Sequence, residues 1–293
     1  MASVQQLKSR IRSVNSTKQI TKAMQLVSAS KMRRATAAVK ETTDYANAAR
    51  ELLADLAHDE TTITSHPLFV VRPVEKRLLI VISSDSGLAG AYNANILKTF
   101  IKELRGDDKV KIRTDTLTLG RKVSQFASRL KDTSVIGSYE KLPDQPTGIE
   151  IKTILNVAID NFLSGDCDAV DIIYTKFISS ITQEVTVERL LPAGVASQTD
   201  FRRVSLAISE SKFEPSRAEV LDVVTERLVE TQIVQALLDS RASEHSMRMI
   251  AMKNATDNAS DLVSDLKLAM NKERQGAITQ ELSEISAGAE AVA

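Results

Sequence analysis

Apolar side chains recur with a helical period at both ends of this chain and with mixed strand and helix periods in between. Near the C-terminus, His245, Met249, Met252, Thr256, Ala259, Val263, Leu266 and Met270 are spaced alternately four and three residues apart. After a phase shift, Ile278, Leu282, Ile285, Ala289 and Val292 resume that spacing. Side chains 3.5 residues apart on average face one partner helix, so this stretch predicts the seam of a coiled coil. The seam is rich in Ala, Thr and Met, which permits close approach but gives weak hydrophobic drive. Near the N-terminus, Val4, Leu7, Ile11 and Val14 show the same spacing, followed by Ile20, Met24 and Val27. This first helix is expected to run through Ala35-Thr36-Ala37-Ala38 to near Ala57. Two long helices joined through a compact middle most simply pair antiparallel.

The middle reads differently. Leu78-Leu79-Ile80-Val81-Ile82 is a continuous apolar run, as expected for a strand buried on both faces of a parallel sheet. Ala94 to Leu104, Arg121 to Leu130 and Ile151 to Leu163 read as helices, with Val110 to Leu119 as a strand between the first two. Ala169 to Phe177 and Thr182 to Leu190 form a candidate strand pair. The order β-α-β-α-α-β-β predicts a Rossmann-like three-layer α/β domain. The expected fold class is therefore α/β: a long antiparallel coiled coil of the N- and C-terminal helices plus that central domain. The expected boundaries are 1–65 for the first helix, 74–210 for the α/β domain and 213–293 for the last helix.

The placement of helix breakers supports this division. All six prolines lie between Pro67 and Pro215, and eight of the ten glycines lie between Gly87 and Gly194. Proline costs roughly 3 kcal/mol and glycine about 1 kcal/mol inside a helix, so both terminal segments are free to be long and nearly continuous. Ser216, after Glu214-Pro215, is a candidate N-cap, and Glu219 would complete a capping box. A helix of about 76 residues from there would reach roughly 110 Å.

The chain has 293 residues, with 38 basic and 38 acidic side chains. Zero formal net charge argues against a free nucleic-acid binder. One cysteine, Cys167, rules out an internal disulfide framework and points to a reducing compartment. No apolar run approaches the roughly 18 residues that span a bilayer, so membrane contact is expected to be indirect. The charge is unevenly placed. Residues 1–40 carry nine basic and no acidic side chains, whereas the last forty carry three basic and seven acidic. Composition leaves four readings open: a solvated face complemented by the acidic helix, a transit peptide, a nucleic-acid surface, or a helix facing acidic loops of a protein partner. The periodic core pattern starting at Val4 opposes the second, and the lack of an aromatic before Tyr45 opposes the third.

Catalytic constellations are missing. There is no GxxxxGK[ST], GxGxxG, HExxH, CxxC or GxSxG, and His58, His66 and His245 lack metal-ligand spacing. No metal, cofactor or catalytic residue is therefore expected. Cys167 lies between Asp166 and Asp168, which disfavours a thiolate. The one tempting stretch is Ser83 to Asn93, placed after a buried strand and before a helix, where doubly wound sheets bind ligands. Its glycine spacing fits neither phosphate-cradling fingerprint, and a tight strand-to-helix turn accounts for the glycines.

Longer stretches carry a resemblance. Ile11-Arg12-Ser13-Val14-Asn15-Ser16-Thr17-Lys18-Gln19-Ile20-Thr21-Lys22-Ala23-Met24 and Val27-Ser28-Ala29-Ser30-Lys31-Met32-Arg33-Arg34 resemble the N-terminus of F-type ATP synthase gamma subunits, bacterial type. Ala242-Ser243-Glu244-His245, Met252 to Ala259 and Asn271 to Leu282 are similar to the close of that family. Ser84 to Asn93 and Tyr174-Thr175-Lys176-Phe177 match recurring stretches of its middle.

The resemblance implies a noncatalytic rotor. In that family the paired terminal helices stand inside a ring of three alpha and three beta subunits, and the α/β domain sits against epsilon and the membrane c-ring. Proton-driven rotation of the c-ring then forces the beta sites through different affinities. By the same resemblance, Met24, Lys31, Arg33 and Arg34 are the expected contacts to the ring at its neck, and Arg274, Gln275 and Thr279 the expected contacts higher in its bore. Tyr174, Lys176 and the Thr182–Leu190 region are weaker candidates for the c-ring and epsilon. The expected location is peripheral, at the cytoplasmic face of a bacterial plasma membrane, and the start of the chain at the family's mature start argues against a presequence. Ala89 stands where many members have cysteine, and no paired-cysteine insertion lies between Pro192 and Pro215, so redox control is not expected.

Overall fold

A computed structural model describes residues 3–58, 66–130, 133–143, 148–194 and 217–292, with the side chains of 54–58, 217–221 and 288–292 outside that set. In chain order the elements are α1 (Val4–His58), a 3-10 turn (Pro67–Phe69), β1 (Lys76–Ile82), α2 (Tyr92–Val110), β2 (Arg113–Leu119), α3 (Arg121–Ala127), β3 (Ser134–Tyr139), α4 (Gly148–Leu163), β4 (Ala169–Phe177), β5 (Gln183–Leu191) and α5 (Arg217–Val292). Two compact units result, Met1–Ala29 with Arg248–Ala293 and Ser30–Met247. The candidate cap Ser216 and the side chain of Glu219 lie outside the described residues.

In the Ser30–Met247 unit the strands form one sheet, ordered β3-β2-β1-β4-β5. β1 pairs in parallel with β2 and β4, β2 with β3, and β5 returns antiparallel beside β4. The central place of β1 explains its unbroken apolar run, because both its faces are covered. Leu78, Ile80 and Ile82 point to one side with Leu117, Val170 and Ile172. There they meet Ile154 and Phe162 of α4, Ala49 and Leu53 of α1, and Val229, Ile233 and Leu237 of α5. Leu79, Val81 and Ile173 point to the other side, against Tyr92, Ile96 and Phe100 of α2 and Val123 of α3. Each such burial stabilises by roughly 1.5–3 kcal/mol, and the alternation makes three layers.

Two elements differ from expectation. β3 was not legible: it is an edge strand of Ser-Val-Ile-Gly-Ser-Tyr with no buried side chain, formed only because β2 offers a free edge. Its presence makes the order β-α-β-α-β-α-β-β. α2 also runs past Leu104 to Val110, through Gly106 and two aspartates. The guanidinium of Arg77 on β1 binds Glu103 and Asp107 at 3.1 Å, which fixes the last turn to the sheet. Lys111, at φ 61°, then ends the helix.

Within this unit α1 and α5 are antiparallel. Val39 packs with Leu238, and three residues on, Thr42 Oγ1 donates to Gln235 Oε1 at 2.7 Å, three residues back. Within the smaller unit, Thr256 Oγ1 lies 2.8 Å from Thr21 Oγ1, and Leu7, Ser28, Met252, Ala259, Val263 and Leu266 are buried. The C-terminal seam is thus as expected as far as Leu266. The N-terminal seam needs correcting after Val14. Ile20 and Val27 are exposed, while Thr21 and Ser28, which continue the strict three-four spacing, face inward. Register, not hydrophobicity, decides which side chains enter the seam. With Thr21 opposite Thr256, Val4 falls opposite Glu273, so Ile278, Leu282 and Ile285 have no α1 beside them and are 49%, 61% and 69% exposed. Ala289 and Val292 have side chains outside the described set.

Candidate functional site

A cavity of about 200 Å³ opens between α1 and α5 in the larger unit. α1 contributes Lys31 and Arg34, one turn apart, and α5 contributes Arg241 and His245, also one turn apart. Ala35, Ala38 and Leu238 complete the lining. The room exists because α1 carries alanines where larger side chains would fill the groove. Lys31 and Arg34 are exposed, whereas Arg241 is held in place by Leu142 O at 2.7 Å and Glu244 Oε2 at 3.1 Å, with Asp85 at 4.0 Å. Burial alone would lower the basicity of Arg241, but Glu244, Tyr92 and Asp85 outweigh it and hold the guanidinium above the ordinary arginine value. It therefore stays charged at any working pH. Three cationic side chains around a volume of this size suit a carboxylate side chain or a small acidic segment.

The other expected contact residues are distributed as follows. Arg33 is exposed on α1 but does not line the cavity. In the smaller unit Met24 is half-buried, and Arg274, Gln275 and Thr279 are exposed on the stretch of α5 that α1 does not reach. Thr279 Oγ1 donates to Gln275 O at 2.9 Å, leaving the Gln275 amide side chain outward. Tyr174 requires a correction: it is 1% exposed, and its hydroxyl donates to Glu188 Oε2 at 2.9 Å, so it offers nothing to a partner. Lys176 is exposed, yet it adjoins Phe177, which packs on the Val39–Leu238–Ala242 cluster that also receives Ala35 and Ala38. It therefore belongs to the end of the sheet that carries the basic cavity. Sequence reasoning missed Arg241. Its spacing of four from His245 put both on one face of α5, which was the available signal.

The Ser83–Asn93 loop is a structural joint. Ser84 Oγ donates to Ser86 O at 2.6 Å, Asn93 Nδ2 donates to Ser84 Oγ at 2.8 Å, and Ser84 N donates to Asn93 Oδ1 at 3.1 Å. Asp85 Oδ1 accepts from the backbone N–H of Arg121 at 3.0 Å and of Lys141 at 3.1 Å, tying three loops together. Gly120, at φ 100°, sits so close that a Cβ there would meet Ser83 O at 2.2 Å. The space beneath this loop is about 10 Å³, room for one water and far too little for a nucleotide. Burial, with Asp168, Asp115 and Asp166 nearby, pushes the Cys167 thiol up to about 12. Among the described residues no group of three His, Cys, Asp or Glu side chains is placed to hold a metal, and no helix is long and apolar enough to cross a membrane.

Comparison with known proteins bears on this arrangement along its whole length. Residues 3–292 match the ATP-synt family, ATP synthase. A Stenotrophomonas maltophilia protein named ATP synthase gamma chain is 40% identical over 293 residues, 100% of both chains. The chain belongs to the ATP synthase gamma chain family. A gamma chain of Xanthomonas oryzae is 39% identical over the same span. The central stalk and c-ring structure of Tetrahymena thermophila mitochondrial ATP synthase contains a similar chain, at 26% identity and TM-score 0.61, covering 80% of this chain and 99% of that one. The rotor of Euglena gracilis mitochondrial ATP synthase matches in fold, with TM-score 0.66 and 15% identity over 94% and 98% of the two chains. The gamma chain of an ATP synthase is a noncatalytic subunit.

Proposed function

We propose that this chain is the central-stalk rotor of an ATP synthase, turned by ion flow through a c-ring and acting on the nucleotide sites of a surrounding ring of three alpha and three beta subunits. The observation that carries the proposal is the unsheathed end of α5. Ile278, Leu282 and Ile285 keep coiled-coil spacing where α1 no longer runs beside them, and they remain exposed. An apolar helical stripe in that condition requires an external sleeve, which a hexameric bore supplies. Arg274, Gln275 and Thr279 on the same stretch give polar contacts within it.

The basic cavity is the proposed contact for an acidic loop of the beta subunit. Lys31 and Arg34 form its mouth, Arg33 lies beside it, and Lys176 flanks the same end of the sheet. Met24 is a further proposed contact. The opposite end of the strands, where Arg113 begins β2, is left for epsilon and the c-ring. Within that complex this chain is membrane-peripheral, and the side proposed is the cytoplasmic face of a bacterial plasma membrane.

Reversing two charges tests the reading. With Arg33→Glu and Arg34→Glu, the chain is expected to fold and to join alpha and beta, while ion-driven ATP synthesis in reconstituted vesicles falls. Unchanged synthesis would remove the cavity from the coupling path. A tagged wild-type chain is expected to bring down alpha, beta and epsilon together.

A further inference from the structure

The sheet has a gap that a helix fills. β1 and β4 pair from Arg77 with Ala169 to Val81 with Ile173, and there the ladder stops, because β1 ends at Ile82. β4 continues to Phe177, so among the described residues the side of Thr175 that faces away from β5 has no strand beside it. α5 supplies the partners. Ser240 Oγ accepts from Thr175 N at 3.3 Å, and Ser243 Oγ donates to Thr175 O at 3.1 Å. One turn further, Ser246 Oγ donates to Ser180 O at 2.6 Å and accepts from Gln183 Nε2 at 3.3 Å. All three serines are at most 1% exposed.

Their spacing of three keeps them on one side of α5, and each directs its hydroxyl at the end of β4 or at the turn beyond it. Apolar contacts such as those of Ile233 and Leu237 hold the helix onto the sheet but lack direction, so a helix resting on them alone can slide or roll at little cost. Hydrogen bonds to a fixed backbone lose strength within a few tenths of an ångström. In a low-dielectric interior the loss of the first two also strands a buried donor and a buried acceptor, the N–H and C=O of Thr175.

We infer that Ser240, Ser243 and Ser246 are positioning residues that lock α5 to β4 against slip, so that torque entering the α/β domain passes to the helix. The inference rests on the rotor reading above. The serines touch no substrate. They act by fixing one load-bearing element to another, and the load is greatest when the machine works against an ion gradient.

The experiment uses the assembled synthase with Ser240→Ala and Ser243→Ala together, measuring ATP hydrolysis and ATP-driven ion pumping in the same vesicles. The expected result is assembly and unloaded hydrolysis close to wild type, with more than half of the pumping lost and the loss growing as the opposing gradient is raised. A ratio of ions pumped to ATP hydrolysed that equals wild type at every gradient would overturn the inference. Hydrolysis and pumping falling in equal proportion would also overturn it, since that is the mark of a merely structural defect. Ser246→Ala serves as a milder second variant, expected to slip only at the highest gradient, and full coupling there under the same load counts against the lock. Hydrogen exchange of the full-length chain gives an independent readout: the Thr175 amide is expected to exchange faster in Ser240→Ala, and unchanged exchange contradicts the assigned bond. If a synthase lacking this chain pumped as well as one containing it, the rotor reading itself would fail, an outcome distinct from those of the serine variants.

Discussion

Thr256 and Thr21 face each other across the helix seam with their hydroxyl oxygens 2.8 Å apart, each also within reach of a carbonyl on its own helix, Met252 O for Thr256 and Lys18 O for Thr21. Threonine is narrow enough to bring the two backbones close and polar enough to set one register, because sliding either helix breaks the pair. Removing one hydroxyl leaves the other with only its local bond, whereas removing both leaves a compact apolar seam. Thr21→Val or Thr256→Val alone is expected to cost about 1 kcal/mol. The double variant is expected to cost less than the sum of the two, as read by denaturant melts in a double-mutant cycle. Strict additivity would show that the two hydroxyls do not interact.

Gly276 lies in the unsheathed stretch of α5, and a Cβ there would meet nothing within 4 Å. Nothing in the structure explains the glycine. Gly276→Ala is therefore expected to stabilise the helix by about 1 kcal/mol, measured by circular dichroism on heating. If that gain is accompanied by weaker assembly with alpha and beta, the glycine serves close approach inside the sleeve.

Arg77 ties three elements together. Its guanidinium meets Asp171 at 2.5 Å and Glu103 and Asp107 at 3.1 Å, and Arg189 shares Asp171. Burial alone would depress its basicity, but Asp171 and Asp107 more than offset this and raise it. Removing the cation while leaving the carboxylates buried is expected to cost about 3–5 kcal/mol. Arg77→Met should accordingly lower the unfolding midpoint by far more than Arg113→Met, whose side chain is mostly exposed. Similar shifts for the two variants would contradict this role.

Asp239 on α5 gives a pH dependence. Burial raises its carboxyl to about 6, while the Gln235 side chain, the Phe177 N–H, Lys176 and Arg50 only partly counter it. Because the folded value lies above the unfolded one of 3.8, the favourable contribution of the protonated group is complete below that value and is lost as pH rises through about 6. Asp239→Asn is expected to raise stability at pH 7.5 by on the order of 2 kcal/mol and to have little effect near pH 3.5. An equal shift at both values would contradict the assignment.

Much of this was readable in advance, for identifiable reasons. Leu78–Ile82 announced the central strand because burial on both faces leaves no polar position, and Met252 to Leu266 announced the seam because its period is strict. β3 stayed hidden because an exposed edge strand is selected by its neighbour rather than by its own side chains. Ile20 and Val27 are apolar yet exposed, because the register set by Thr21 and Ser28 outranks side-chain hydrophobicity. Lys31 and Arg34 were legible from charge and resemblance, whereas the cavity they share with Arg241 and His245 depends on two helices meeting at Ala35 and Ala38. The role of the serines at 240, 243 and 246 has no sequence signal, since their partners lie on β4 and the turn beyond it, more than sixty residues away.

As a rotor, this chain must turn. The most direct measurement attaches a bead or gold particle to it in a complex with alpha and beta subunits fixed to glass, supplies ATP, and follows the probe. The expected result is unidirectional rotation in steps matched to the three beta sites, stopping when ATP is removed. Sustained ATP hydrolysis by the same complexes with the probe stationary would contradict it.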